Sequence, residues 1–193
     1  MLLQLLLLLS ALLGAISLLP LPSMANPAEA FVSREGRFAA AFPAEPVRER
    51  SGRDTWAGWM EEGSYDLEGA GLRLRVEFHD VPRMATLVLP SAMILELAKQ
   101  GVLDDMKARA GSEQRVSLHG HPGLALRYVP GGRPDTTEQT RLFLVGSRLY
   151  VAFASADQPG EPQEAAARFL ASFDAWESGD AVAALAGSAS GGM

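Results

Sequence analysis

The chain has 193 residues, no cysteine, and 23 acidic against 17 basic side chains, leaving a net charge of −6 with histidine neutral. The missing thiols exclude disulfides, thiolate metal centres and a lipid-modified amino-terminal cysteine. The acidic balance, with its basic residues scattered, excludes a nucleic-acid-binding face, which needs a concentrated Lys/Arg surface.

Met1 to Ala25 carries no charged side chain, is almost continuously apolar from Leu5 to Leu19, and closes on Ser23-Met24-Ala25. An apolar run ending in small residues predicts a signal peptide over 1–25, cleaved after Ala25, and so an exported protein, periplasmic or extracellular. The first arginine is Arg34, so the usual positive n-region is missing. The run also approaches the ~20 apolar residues that span a bilayer, which makes an uncleaved, membrane-anchored form the alternative. Residues 26–176 are enough for one domain at ~100–200 residues per domain. Residues 177–193, mostly Ser, Gly and Ala with little to bury, predict a disordered low-complexity tail.

Within the domain, Phe31 to Phe42 predicts a short strand with Gly36 as its turn and Pro43 as its stop. Polar, proline-containing sequence from Ala44 to Asp54 reads as a loop, and Trp56 to Leu67 as a strand with a bulge at Gly58. Glu68-Gly69-Ala70-Gly71 makes a hairpin turn. Leu72, Leu74, Val76 and Phe78 alternate with Arg73, Arg75, Glu77 and His79, the pattern of a half-buried strand. A helix is expected from Ser91, as its cap, to about Ala110, with Gly111 ending it. Its apolar stripe is Leu95, Ala98, Val102 and Met106, widened by Ile94 and Leu97.

Strands then follow at Arg115–Leu118 and Leu124–Val129, and Pro130 to Glu138 reads as an exposed loop. Arg141 to Ala154 predicts a hairpin with a type II′ turn at Gly146-Ser147. Its strands are apolar at successive positions, so both of their faces should be covered and the hairpin should lie centrally. A final helix starts near Pro162, with Ala166, Phe169, Leu170 and Phe173 as its docking stripe.

Four short motifs, taken in order, carry a resemblance. They are Phe38-Ala39-Ala40-Ala41-Phe42-Pro43, Gly120-His121-Pro122-Gly123, Val145-Gly146-Ser147-Arg148-Leu149-Tyr150 and Arg168-Phe169-Leu170-Ala171-Ser172-Phe173. With the order of elements between Phe31 and Trp176, they resemble the Mog1/PsbP-like family. The resemblance implies an α+β fold, an α/β/α sandwich around a central, mostly antiparallel sheet, used mainly as a non-catalytic scaffold. No partner-binding motif of that family has a counterpart here, so no site residue carries over.

Candidates for chemistry are few. His119 and His121, two apart, would point the same way in an extended segment, and His79 ends another strand beside Asp80. Three imidazoles and a carboxylate could hold copper or zinc, although nothing in the sequence brings His79 to the other two. Glu61-Glu62 and Asp104-Asp105 are adjacent pairs, which point apart and suit solvated faces rather than acid–base catalysis. No Gly-x-Ser-x-Gly, Gly-x-Gly-x-x-Gly or phosphate-binding Gly-Lys-Ser/Thr occurs. Trp56 and Trp59, with Met60 and Tyr65, form the densest aromatic cluster; any tryptophan not taken by the core is the natural partner-binding residue. The expectation is therefore an exported, non-catalytic accessory protein that binds another envelope or membrane-associated protein. A periplasmic copper- or zinc-binding protein using His79, His119 and His121 is the alternative.

Overall fold

The computed structural model describes residues 30–55 and 58–177. The signal-peptide assignment, nearly all of the expected tail, and Trp56 lie outside them.

The elements are β1 (Phe31–Ser33), β2 (Phe38–Ala40), β3 (Val47–Thr55), β4 (Gly58–Gly69), β5 (Leu72–Asp80), α1 (Arg83–Val88) and α2 (Ser91–Asp105), followed by β6 (Arg109–Leu118), β7 (His121–Val129), β8 (Glu138–Val145), β9 (Arg148–Ala156), α3 (Glu161–Ser172) and β10 (Asp174–Ala175). Seven strands form one sheet in the order β3-β4-β5-β9-β8-β7-β6, every neighbouring pair antiparallel. A small sheet, β1-β2-β10, stands beside it.

The alternation in β5 sets the two faces. Leu72, Leu74, Val76 and Phe78 are buried, and the residues between them turn to the other side. The hairpin β8–β9 is apolar at successive positions over Leu142–Val145 and Leu149–Ala154 because it serves two cores. Phe143, Val145, Tyr150, Ala152 and Ala154 join one with β2 and α3, while Leu142, Leu144 and Val151 join the other with α2. As expected from its composition, this hairpin is central and covered on both faces. The docking stripe of α3 is buried as read, and Phe173, just past the helix, stacks on Phe143 at 5.8 Å with planes 5° apart. Helices on opposite faces of an antiparallel sheet make the architecture the expected α/β/α sandwich.

Several local expectations are corrected. Ala44 to Asp54 is a loop only at its start; from Val47 the chain pairs with β4 as an edge strand, where charged side chains are tolerated on both faces because one edge is solvated. Helix α2 stops at Asp105, with Lys107 at φ 50°, because the chain from Arg109 is taken up by pairing with β7. Pro90, not Ser91, occupies the cap position. Leu97, expected on the apolar stripe, is exposed, whereas Ile94 and Leu95 are buried. The helix α1 and the strand β10 had no counterpart in the sequence reading. The turn at Gly146 does have positive φ at its first central residue alone, as a type II′ turn requires.

Candidate docking end of the sandwich

The three histidines do not meet. Register places His79 in phase with Leu149, on the α2 side of the sheet, whereas His121 alternates in phase with Gly123, which opposes Phe143 on the α3 side. Two strands, β9 and β8, lie between them, a separation of about 14 Å at ~4.8 Å per strand step. His79 sits near Glu62 at 3.5 Å and Glu77 at 3.6 Å. His119 occupies a tight turn at φ 49° rather than an extended segment, and its Nε2 lies 2.6 Å from an Asp174 oxygen. His121 faces Glu177 at 3.8 Å. The three-imidazole cluster of the alternative reading is not formed among the described residues, because the pleat sends His79 and His121 to opposite faces. Among the described residues no three His, Asp or Glu side chains are placed to share a metal ion.

One end of the sandwich gathers exposed apolar side chains instead. The β4 register with β5 begins at Glu62–His79, so residues 58–61, paired with 52–55 of β3, project past β5 as a two-stranded arm. Trp59 stands on this arm with 63% of its surface exposed. Its ring lies over Gly52, where a Cβ would collide with it, so glycine there gives the indole its seat. At the same end β5 leaves the sheet for α1, where Ala85 is buried while Met84, Leu87 and Val88 are exposed. Met93, in the first turn of α2, is half exposed. A short helix that turns three apolar side chains outward buries too little to be stabilised by its own packing.

Beneath this end lies a polar clamp. Arg148, nearly buried, donates from Nε and Nη2 to the two Asp80 carboxylate oxygens at 2.5 and 2.6 Å and from Nη1 to the Glu35 carbonyl at 2.7 Å. Its guanidinium rests on the Phe78 ring at 4.3 Å, and Arg37 reaches Asp80 at 3.4 Å. The Tyr150 hydroxyl donates to the Gly36 and Arg37 carbonyls at 2.9 and 3.1 Å. Together these bonds tie the β1–β2 turn to the ends of β5 and β9. Burial works against the Arg148 charge, but the Asp80 bonds outweigh it and hold its pKa above the ordinary arginine value. Burial pushes the Tyr150 phenol up to about 12, against the pull of Arg148. The clamp thus joins the β1–β2 turn to the strand ends next to the arm.

Of the residues assembled here, Trp59 was singled out from sequence as a partner-binding residue, Asp80 only as a possible metal carboxylate, and Arg148 and Tyr150 only as part of a resemblance motif. Met84, Leu87 and Val88 could have been flagged as an apolar run with no helical stripe to complete. Arg148, in an otherwise apolar strand, could have been flagged as a buried charge in need of a partner.

No family model matches the chain, and no curated protein matches it. The solution structure of cyanobacterial PsbP (CyanoP) from Synechocystis sp. PCC 6803 is similar over 77% of this chain and 92% of its own, with a TM-score of 0.51 and 12% identity. A Pseudomonas aeruginosa protein of unknown function aligns over 63% of this chain and 92% of its own at 13% identity, with a TM-score of 0.39, too low to carry an argument. The likeness to cyanobacterial PsbP, joined to the sandwich and sheet order above, supports the resemblance read from the sequence: the chain has the PsbP-like fold.

Proposed function

We propose that the protein is an exported, non-catalytic accessory protein that docks on another envelope or membrane-associated protein through the end of the sandwich bearing Trp59. The observation that carries this reading is a tryptophan 63% exposed on an arm that projects beyond the sheet. Indole rings bury 150–250 Å² in contacts and dominate interface energies, so covering the open part of this one is worth about 3 kcal/mol at ~25 cal/mol per Å². Met84, Leu87, Val88 and Met93 add further exposed apolar side chains at the same end of the sheet, and thioethers among them are adaptable. The apolar leader supports the exported location, and no helix among the described residues is long and apolar enough to cross a membrane.

The test is crosslinking in the native envelope at native expression, with wild type and Trp59→Ala as baits. Wild type should capture a defined protein that Trp59→Ala loses, while the two variants unfold at the same urea concentration. An empty wild-type capture, or one that Trp59→Ala leaves intact, refutes the proposal.

A further inference from the structure

The sheet is only partly roofed on its α2 side. Helix α2 lies over β7 and β8, and where it ends a cleft of about 350 Å³ opens against the polar face of β5 and β4, away from the Trp59 arm. A volume of that size holds a small molecule or one long side chain of a partner. Its apolar part is made by Val102 of α2 and Met106 just past the helix, above Val151 and Phe153 of β9.

The charges around it do not balance. Five carboxylates line the cleft against two guanidinium groups. Arg75 is spent on Asp66 and Glu77, and Arg73 stands at 3.8 Å from Glu68 and 4.0 Å from Glu138. Glu49 on one side and Asp105 on the other have no ion pair or hydrogen bond among the described residues. Asp105 also closes α2, whose last turn holds no basic residue, so it sits at the negative end of the helix dipole, where a cation is favoured.

A further carboxylate lies behind the lining residues, outside the cleft itself. Glu138 is fully buried on the same side of the sheet, between its register partners Tyr128, which lines the cleft, and Ser155. Arg133 and Arg73 engage only its Oε1, and its Oε2 and the neighbouring Ser155 Oγ have no hydrogen-bond partner among the described residues. Glu138 Oε2 is thus a buried acceptor without a donor, and Ser155 Oγ a buried hydroxyl that could itself donate. An ammonium group brings three donors and no acceptor.

We infer that this cleft binds an amphipathic cation, an aliphatic chain ending in a primary ammonium group, whether a free alkylamine or the lysine side chain of a partner. The chain lies on Val102, Met106, Val151 and Phe153, and the ammonium enters the field of Asp105 and Glu49. The inference is independent of the docking role of Trp59.

The experiment titrates the full chain by calorimetry with three ligands of one tail, n-octylammonium, octanoate and octyl glucoside, each below its micellar concentration. Octylammonium should bind at least tenfold more tightly than octanoate, and more weakly as salt is raised. The surface variant Asp105→Asn/Glu49→Gln should lose about tenfold for octylammonium alone, while Trp59→Ala binds as wild type. A blocked tripeptide, acetyl-Leu-Lys-Leu-amide, separates the sources: competition with octylammonium assigns the cleft to a protein lysine, and no competition assigns it to a free amine. Equal binding of all three tails, tighter octanoate, or an unaltered double variant overturns the inference.

Discussion

Replacing Asp80 by alanine removes the carboxylate that faces Arg148 and leaves the guanidinium in place. The Arg148 side chain is 7% exposed and that of Asp80 33% exposed. Removing one partner of a fully buried pair costs about 3–5 kcal/mol, and an exposed pair is worth about 0–1, so the one-third exposure of Asp80 sets the expected loss at about 2–3 kcal/mol. Arg148 would retain the Glu35 carbonyl and the Phe78 ring, which limits the loss. In urea, with a slope of about 2 kcal/mol per molar for a domain of this size, the midpoint should fall by about 1–1.5 M. The double variant Asp80→Ala/Arg148→Met should be less damaged than the single one, near 1 kcal/mol, because a thioether can lie on Phe78 and no charge remains buried. Circular dichroism at 25 °C across the urea transition measures both. A single variant within 0.3 M of wild type, or a double variant weaker than the single, would refute the account of the clamp.

Three further outcomes are expected. Burial pushes the Tyr128 and Tyr150 phenols up to about 12, so two of the three tyrosines should ionise only near that pH, followed by absorbance at 295 nm. Because these native values lie above the ordinary ~10, their contribution is complete below pH 10 and is lost as pH rises toward 12, where the unfolded chain ionises first. Burial also raises the Glu138 carboxyl, with Arg133 and Arg73 opposing it, so its charged form works against the fold at neutral pH. Glu138→Gln should therefore be at least as stable as wild type at pH 7, whereas Arg133→Ala, which strips the buried carboxylate of its main partner, should lower the urea midpoint. Finally, Phe169, fully buried and edge-on to Phe42 at 4.8 Å, should cost about 3–5 kcal/mol when cut to alanine, read from thermal unfolding.

The legible parts of the fold were those where burial follows a period. The two-residue alternation of β5, the unbroken apolar runs Leu142–Val145 of β8 and Leu149–Ala154 of β9 and the stripe Ala166, Phe169, Leu170 each report a face that must be covered whatever covers it. The edge strand β3 was not legible, since Arg48 and Arg50 look like loop residues until β4 lies beside them and Glu35 and Glu61 accept their charges. The end of α2 was hidden for a related reason: a helical pattern continued past Asp105, and only the competing partner β7 drew the chain into β6.

Composition and periodicity alone thus determined the apolar run of Met1 to Ala25, the absence of thiol chemistry, the order of most elements and the two-faced burial of the central hairpin. Tertiary structure alone decided that Trp59 faces outward on an arm, that His79 and His121 fall on opposite faces, and that Arg148 finds Asp80 sixty-eight positions earlier in the chain. Periodicity reports how much of a side chain is buried, but register and strand order decide which side chains meet. Those depend on pairings between residues far apart in the chain, which no local window contains.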